Sequence, residues 1–285
     1  MHPPYPGSWS KPQPCVCRQV DLNKAVLTRT IPPRGSQYQP QSSDIVYDLL
    51  KNRENYVCIS HEKDEGVLMA SVTGFIIKLY TRIREATLTR IAGKCAVPVV
   101  GNLFRPQCHI VGGPRLEGII MEPVKYINYE DYVTLEQKEE LKNEMINLVK
   151  KLHKEYEMIH GDITPYSFMR WNGELRLIHF RGGRLFSEDY RNTDEDFERT
   201  TAYLSPDKWN AFDESDCPRD PIEDWYALAL VVYELYTGVK PFIMTEDFKH
   251  IFKSLYQRKM PDLTLVEDEA TRIWIQEILR KGGAF

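Results

Sequence analysis

Residues 225–237 form a segment that is apolar almost all round, and this segment constrains the fold more than any other part of the chain. A helix on the surface of a globular protein keeps a polar face, so a helix without one must be buried among other elements. Residues 220–223 (Asp-Pro-Ile-Glu) are typical of a capping box with proline in the first turn, and Gly238 is typical of a helix end. The chain therefore needs a helical region large enough to enclose this helix.

The two halves of the chain have different hydrophobic patterns. Strand-like segments come first, at residues 56–59, 67–70, 74–80, about 97–103 and 118–122, with a short helix predicted over about residues 82–91. The second half is mainly helical: residues 134–137 (Thr-Leu-Glu-Gln) are typical of a capping box, and apolar residues then recur at helical spacing up to Tyr156. Strands followed by helices predict an α+β fold with two lobes.

The N-terminal segment, residues 1–43, is rich in Pro, Ser, Gln and Arg and shows no sustained periodicity. Such a composition buries little apolar surface, so we expect the segment to be mostly disordered or to lie as a strap on the domain. The folded domain is predicted over residues 44–285 and begins with a helical pattern at Ile45, Leu49 and Leu50. Its N-terminal lobe is predicted over about residues 44–122 and its C-terminal lobe over about residues 123–285.

Residues 159–168 read Ile-His-Gly-Asp-Ile-Thr-Pro-Tyr-Ser-Phe. This segment resembles the catalytic loop of eukaryotic protein kinases, H-R-D-x-K-P-x-N, because it keeps the histidine, the aspartate and the proline. Other segments resemble that family in the same order: residues 75–78 the V-A-I-K strand, 119–124 the hinge, 177–181 the D-F-G position, 200–207 the end of the activation segment, and 224–242 the D-x-W-x-L-G…G-x-x-P-F run. The resemblance covers about residues 67–278 and implies a two-lobed protein-kinase-like fold, with a small β-rich N-lobe and a larger helical C-lobe.

The resemblance implies a role for three charged residues. Asp162 would be the base that accepts the proton of a substrate hydroxyl, and the alternative, a structural aspartate that holds its loop by hydrogen bonds, stays open. Lys78 would hold the α- and β-phosphates of ATP, with Glu85 steadying it. Only seven residues separate Lys78 from Glu85, so the helix that carries Glu85 must be short for this ion pair to form.

The resemblance also implies positions for the adenine ring of a nucleotide. The backbone of Glu122 and Val124 would meet the adenine edge, Met121 would be the gatekeeper, and Met169 would lie beneath the ring. Apolar residues at these positions are equally expected in any packed core, so nucleotide binding stays open.

The positions that hold magnesium in the family are changed in this chain. Ser167 replaces the catalytic-loop asparagine, and His179 replaces the aspartate of D-F-G. Magnesium prefers hard oxygen ligands and usually needs a carboxylate, whereas histidine is a borderline nitrogen ligand that suits zinc or copper. We therefore expect magnesium binding to be weak or absent.

Other parts of the phosphate site are changed as well. Gly161 replaces the arginine that in the family receives an activation-loop phosphate, Thr164 replaces the lysine of the catalytic loop, and Arg181 replaces the glycine of D-F-G. Residues 60–66, where a glycine-rich loop should stand, read Ser-His-Glu-Lys-Asp-Glu-Gly. Without the permissive turns of glycine, backbone amides cannot cradle a phosphate.

Composition bears on the partners and the location of the chain. The net charge of −4 gives no reason to expect nucleic acid or an anionic membrane as partner. The six cysteines include no C-x-x-C pair, which favours reduced thiols inside a cell over a disulfide framework. The N-terminus has no apolar region typical of a signal peptide, so we expect a cytoplasmic or nuclear protein that is not secreted.

The predicted function is that of a pseudokinase. It would bind a protein partner as a scaffold or allosteric regulator, with weak or no metal-dependent phosphoryl transfer and no certain cofactor. One alternative is an active, divergent Ser/Thr kinase that uses ATP through Asp162 and Lys78, its metal held by substrate phosphates and by Glu174 or Asp189. Another is a nucleotide-binding module without turnover.

Overall fold

The fold is taken from a computed structural model of the chain. Its described residues are 26–28, 45–46, 56–62, 65–70, 76–79, 81, 83–108, 113–188, 203–206, 220–242 and 257–285. The chain divides into two compact units, the first formed by Met1–Ala86 with Pro98–Val124 and the second by Thr87–Val97 with Lys125–Phe285. Strands dominate the first unit and helices the second, which confirms the predicted α+β class.

The first unit is built on a seven-stranded sheet. Its strands are β1 (Val26–Thr28), β2 (Ile45–Val46), β3 (Tyr56–Glu62), β4 (Glu65–Ala70), β5 (Ile76–Leu79), β6 (Val99–Cys108) and β7 (Gly113–Met121). They lie in the order β2-β1-β6-β7-β5-β4-β3, and neighbouring strands are antiparallel. Successive residues Ile76 and Ile77 of β5 are both buried, as are Ile119 and Ile120 of β7. Because successive side chains point to opposite faces, both faces of the sheet are covered at these central strands.

The structure differs from the prediction at the outer edge of this sheet. Ile45 and Val46 pair with Leu27 and Val26, so the helical pattern predicted to begin at Ile45 is wrong for these two residues. A two-residue pattern cannot distinguish helix from strand, and here pairing with a strand distant in sequence decides the outcome. β1 itself lies within residues 1–43, the segment predicted to be disordered or a strap, and it pairs with β6.

The second unit contains most of the helices. Helix α1 (Ile83–Ile91) crosses from the first unit into the second, and α2 (Leu135–Tyr156), α3 (Ile222–Thr237) and α4 (Glu269–Lys281) follow. Short strands β8 (Lys125–Tyr126), β10 (Phe168–Trp171) and β11 (Glu174–Leu177) form one sheet, and β9 (Met158–Ile159) pairs with β12 (Arg184–Leu185). Single turns of 3₁₀ helix lie at Pro165–Ser167 and Phe180–Gly182, among other places.

Helix α3 is the buried centre of the second unit, as its apolar sequence predicts. Every residue from 226 to 235 is buried, and Gly238 ends the helix in a left-handed conformation. The predicted capping box of α2 is also confirmed, since Gln137 N donates to Thr134 Oγ1 and Thr134 N donates to Gln137 Oε1. No helix among the residues described is long and apolar enough to span a membrane.

The chain passes between the two units at three places. Val124 closes the first unit, and Thr87–Val97 belongs to the second. The reason is that Leu88, Ala92 and Cys95 are part of the same apolar core as α2, α3 and α4. The chain therefore enters the second unit, returns to the first, and enters the second again at Lys125.

Candidate functional site

Lys78 and Glu85 are brought together in the first unit. Lys78 lies in β5 opposite Ile119, and its ammonium forms an ion pair with the carboxylate of Glu85 in the first turn of α1. Both side chains are buried, with exposed fractions of 1% and 2%. Between them, the Thr81 hydroxyl donates to the carbonyl oxygen of Lys78 at 3.0 Å. The ion pair forms across this short separation because α1 begins at Ile83.

The residues expected on the adenine side are divided between the units. Met121 ends β7 and is buried, while Glu122 and Val124 follow it and are half-buried. The amide of Glu122 donates to Pro98 O at 3.0 Å, which fixes the backbone where the first unit ends. Met169 lies in β10 of the second unit and is fully buried there.

Asp224 anchors the segment that resembles a catalytic loop. Its carboxylate accepts the backbone N–H of His160 at 2.8 Å and that of Gly161 at 2.8 Å, and His153 Nε2 lies 2.8 Å from Oδ2. Burial by itself would raise the pKa of this carboxyl, but the hydrogen bond and charge of His153, with His160 beside it, hold the pKa below its ordinary value. Asp224 is therefore a buried carboxylate whose charge is matched by donors, as buried charges require.

His160 joins the same loop to the segment that follows β11. Its Nε2 donates to Ile178 O at 2.8 Å, and its Nδ1 accepts the backbone N–H of Asp162 at 3.3 Å. Burial lowers the pKa of the imidazole, and one ring nitrogen acting as donor with the other as acceptor is the pattern of the neutral ring. The ring also packs against Phe180, with centroids 4.8 Å apart. The retained histidine is thus a structural connector.

Asp162 is half-buried and borders a small pocket within the second unit. The pocket is lined by Gly161, Asp162, Ile163, Tyr203, Leu204, Ser205, Glu223, Asp224 and Ala227. The Tyr203 hydroxyl donates to Glu234 Oε2 at 2.6 Å, and burial, with the charge of Glu234, raises the pKa of Tyr203. Asp162 is one of the residues that line this pocket, and its backbone is held from both sides by His160 and Ser167.

The hydroxyl of Ser167 is fully occupied by its own loop. It donates to Asp162 O at 3.0 Å and accepts the N–H of Thr164 at 3.0 Å. It also lies 3.2 Å from the Thr164 hydroxyl, which must be the donor because the single Ser167 proton is already used. One proton and two lone pairs are all that a hydroxyl has, so Ser167 has no lone pair left for a metal ion. This small Thr164–Ser167 capping box is not evident from the sequence comparison with H-R-D-x-K-P-x-N.

His179, at the other expected metal position, is half-buried and has left-handed backbone angles, φ 68° and ψ 50°. Histidine, like aspartate and asparagine, is enriched among non-glycine residues in this region. Of the two carboxylates expected as substitutes, Glu174 forms an ion pair with Arg176, and Asp189 lies outside the described residues. No group of three or more His, Cys, Asp or Glu residues suited to a metal ion occurs in the part of the chain that the structure describes. Neither Ser167 nor His179 offers the carboxylate oxygen that magnesium prefers.

Comparisons of sequence relate the chain to protein kinases. No family model matches it. It is 28% identical over 115 residues to a probable serine/threonine-protein kinase of Dictyostelium discoideum, a match that covers 40% of this chain and 21% of that protein. It is 27% identical over 197 residues to the serine/threonine-protein kinase MRCK alpha of Mus musculus, a match that covers 69% of this chain and 10% of that protein. The chain therefore spans about a tenth to a fifth of the length of these curated relatives.

Comparison of structure agrees with the sequence. The chain is similar to the protein kinase PK-1 of Cydia pomonella granulovirus, with a TM-score of 0.54 over 81% of this chain and 89% of that one. The identity in this match is 16%, so the likeness shows the fold. Together with the sequence relatives, this match supports a protein-kinase-like family, and the fold is the two-lobed α+β fold of protein kinases.

Proposed function

We propose that this chain is a pseudokinase, which binds a protein partner as a scaffold or allosteric regulator and carries out little or no metal-dependent phosphoryl transfer. The observation that carries the proposal is the Ser167 hydroxyl, whose proton and two lone pairs are all used within residues 162–167. A ligand role would require Ser167 to break a hydrogen bond that holds the backbone of Asp162. The loop geometry and metal binding therefore compete for the same atom.

The residue at the second metal position supports the same conclusion. His179 offers a ring nitrogen where magnesium prefers a carboxylate oxygen. A serine and a histidine together carry no negative charge, so they cannot neutralise a divalent cation or hold it beside phosphates. Phosphoryl transfer depends on this charge neutralisation and on positioning, and both are weakened.

Each unit nevertheless contains buried charged groups that have partners. The Lys78–Glu85 pair is buried in the first unit, and Asp224 holds two backbone amides of the loop in the second. A chain that keeps its fold while losing its metal ligands is suited to binding. The protein partner and a cytoplasmic or nuclear location are part of this proposal.

A specific observation favours the alternative of an active, divergent kinase that uses ATP. Lys78 keeps its buried carboxylate partner, and Asp162 borders a pocket rather than being enclosed. Nucleotide binding without turnover would use Lys78 in the same way but would not need Asp162. Experiments must therefore separate three outcomes.

Thermal unfolding with ATP, with ATP and magnesium, and with magnesium alone separates them. Binding at 100 times Kd adds about 2.7 kcal/mol to the free energy of unfolding, which gives a measurable rise in Tm. We expect no magnesium-dependent rise and no transfer of phosphate to a protein substrate or to the chain itself. A rise with ATP that is independent of magnesium would support a nucleotide-binding module. A magnesium-dependent rise, with transfer that Asp162→Asn abolishes, would overturn the pseudokinase proposal.

The double variant Ser167→Asn, His179→Asp provides a matched positive control. It restores an amide oxygen and a carboxylate at the two metal positions, which are the ligand types that magnesium accepts. We expect this variant to gain a magnesium-dependent rise in Tm with ATP that the natural chain lacks. If the natural chain and the variant respond equally to magnesium, the loss of ligands does not explain the behaviour and the proposal fails.

A further inference from the structure

The backbones of Gly161 and Gly182 touch without any side chain between them. A Cβ atom built on Gly161 would lie 2.2 Å from Gly182 O and 2.8 Å from Gly182 C. A Cβ atom built on Gly182 would in turn lie 2.9 Å from Gly161 O and 3.4 Å from the Cβ of Asp162. All of these distances but the last are shorter than real Cβ contacts, and the atoms in the way are backbone atoms that cannot rotate aside. Both positions therefore require glycine.

Gly161 requires glycine for a second reason. Its φ angle is +76°, in the left-handed region where a Cβ atom is unfavourable. With this φ angle and the contact to Gly182, the backbone immediately before Asp162 lies against the 3₁₀ turn Phe180–Gly182. The part of this turn that Gly161 approaches is the carbonyl group of Gly182.

The same two segments are joined on either side of the glycine contact. His160 Nε2 donates to Ile178 O at 2.8 Å, and Ile178 N donates to Ser167 O at 2.9 Å. Beyond the turn, Arg184 pairs with Ile159 in the small sheet of β9 and β12. The glycine contact thus lies inside a ring of hydrogen bonds, where neither segment can move away without breaking them.

We infer that Gly161 and Gly182 form a backbone lock, defined here as the contact between these two glycines, that holds the loop of Asp162 against the turn at residues 180–182. The contact is made by main-chain atoms of the two residues. The lock therefore holds the backbone immediately before Asp162 against this turn within the second unit.

Amide hydrogen exchange of the full chain tests the lock. We expect Gly161→Ala to raise exchange in residues 159–168 and 178–185 together by about tenfold or more, while α4 keeps its protection. Gly173→Ala is the matched control, because Gly173 also has a positive φ, +84°, but a Cβ there would meet nothing within 4 Å. It carries the backbone strain without the overlap, so we expect residues 159–168 to exchange as in the natural chain. Equal exchange in the two variants would overturn the lock.

Two further measurements keep the inference testable if Gly161→Ala does not fold. A Cβ atom at Gly182 would overlap less, at 2.9 Å from Gly161 O, and Gly182 does not have a left-handed φ. We therefore expect Gly182→Ala to raise amide exchange in the same two segments by a smaller factor than Gly161→Ala. The natural chain should already protect residues 159–168 to the level of β9 and β12. Free exchange of this loop in the natural chain, or loosening of only one of the two segments in Gly182→Ala, contradicts the inference.

Discussion

Replacing Asp224 with asparagine exchanges one carboxylate oxygen for an amide group at the anchor of the loop. In the natural chain, Oδ1 accepts the N–H of Gly161, and Oδ2 accepts the N–H of His160 and contacts His153 Nε2. Asparagine has one acceptor oxygen, so at least one of these buried backbone donors would face an NH₂ group. Neither backbone N–H can rotate to another partner.

The expected loss of stability follows from these bonds. A hydrogen bond to a charged group contributes about 1.5–3 kcal/mol, and a buried donor left without a partner costs about 1–3 kcal/mol. Asparagine has nearly the same side-chain volume as aspartate, and its oxygen can still accept one of the two backbone N–H groups. We therefore expect Asp224→Asn to lower the free energy of unfolding by about 2–4 kcal/mol at neutral pH. Asp220→Asn is the matched control: Asp220 is exposed and uses only Oδ1, for the N–H of Ile222, so its effect should stay within about 0.5 kcal/mol.

The effect should depend on pH in a defined direction. The folded-state pKa of Asp224 lies below its ordinary value, so its contribution to stability is present above the unfolded pKa of about 3.9 and is lost as pH falls through the folded pKa. Urea unfolding at neutral pH and at successively lower pH, for the natural chain and both variants, measures this. A difference between Asp224→Asn and the natural chain below about 0.5 kcal/mol at neutral pH, or one that does not shrink in acid, would refute the reasoning.

Three further predictions concern buried groups. Lys78→Met should lower the free energy of unfolding by about 3–5 kcal/mol, because it removes the partner of the buried Glu85 carboxylate. Adding Glu85→Leu should recover part of this loss in urea unfolding, and a double variant less stable than Lys78→Met would contradict the prediction. Leu228→Ala in α3 should lower stability by about 2–5 kcal/mol, against about 0.5 kcal/mol for the exposed Leu265→Ala, and similar values for both would show that α3 is not the core. Cys95 is buried, and burial raises the pKa of its thiol to about 11. Alkylation of Cys95, measured by mass spectrometry, should therefore be at least about a hundredfold slower in the folded chain than in urea. Equal rates in the two conditions would contradict this.

The elements that could be predicted from sequence are those whose pattern is long and local. Helix α3 has no polar face over residues 226–235, and helix α2 has both an apolar repeat and a capping box, so burial and boundaries follow from the residues themselves. Strands β1 and β2 have two or three residues each and owe their conformation to partners far along the chain. No local pattern of that length distinguishes a strand from a helix.

The candidate site divides in the same way. The sequence, through its resemblance to protein kinases, points to Asp162, Lys78 and Glu85 and to Ser167 and His179 at the expected metal positions. It leaves the Lys78–Glu85 pair in doubt, since the pair depends on where α1 begins. The structure resolves that doubt, because α1 begins at Ile83 and the Thr81 hydroxyl donates to Lys78 O, a contact that the spacing alone does not reveal.

The sequence by itself determined the α+β class and the buried helix, and its resemblance to protein kinases marked Ser167 and Gly161 as changed residues. Only the tertiary structure decided which contacts these residues make: the Ser167 hydroxyl forms hydrogen bonds with Thr164 and Asp162, and the backbone of Gly161 contacts that of Gly182. The physical reason is that composition and periodicity report which surface a segment must bury. The partner of a single hydroxyl or carbonyl depends on how separate segments are brought together in the fold.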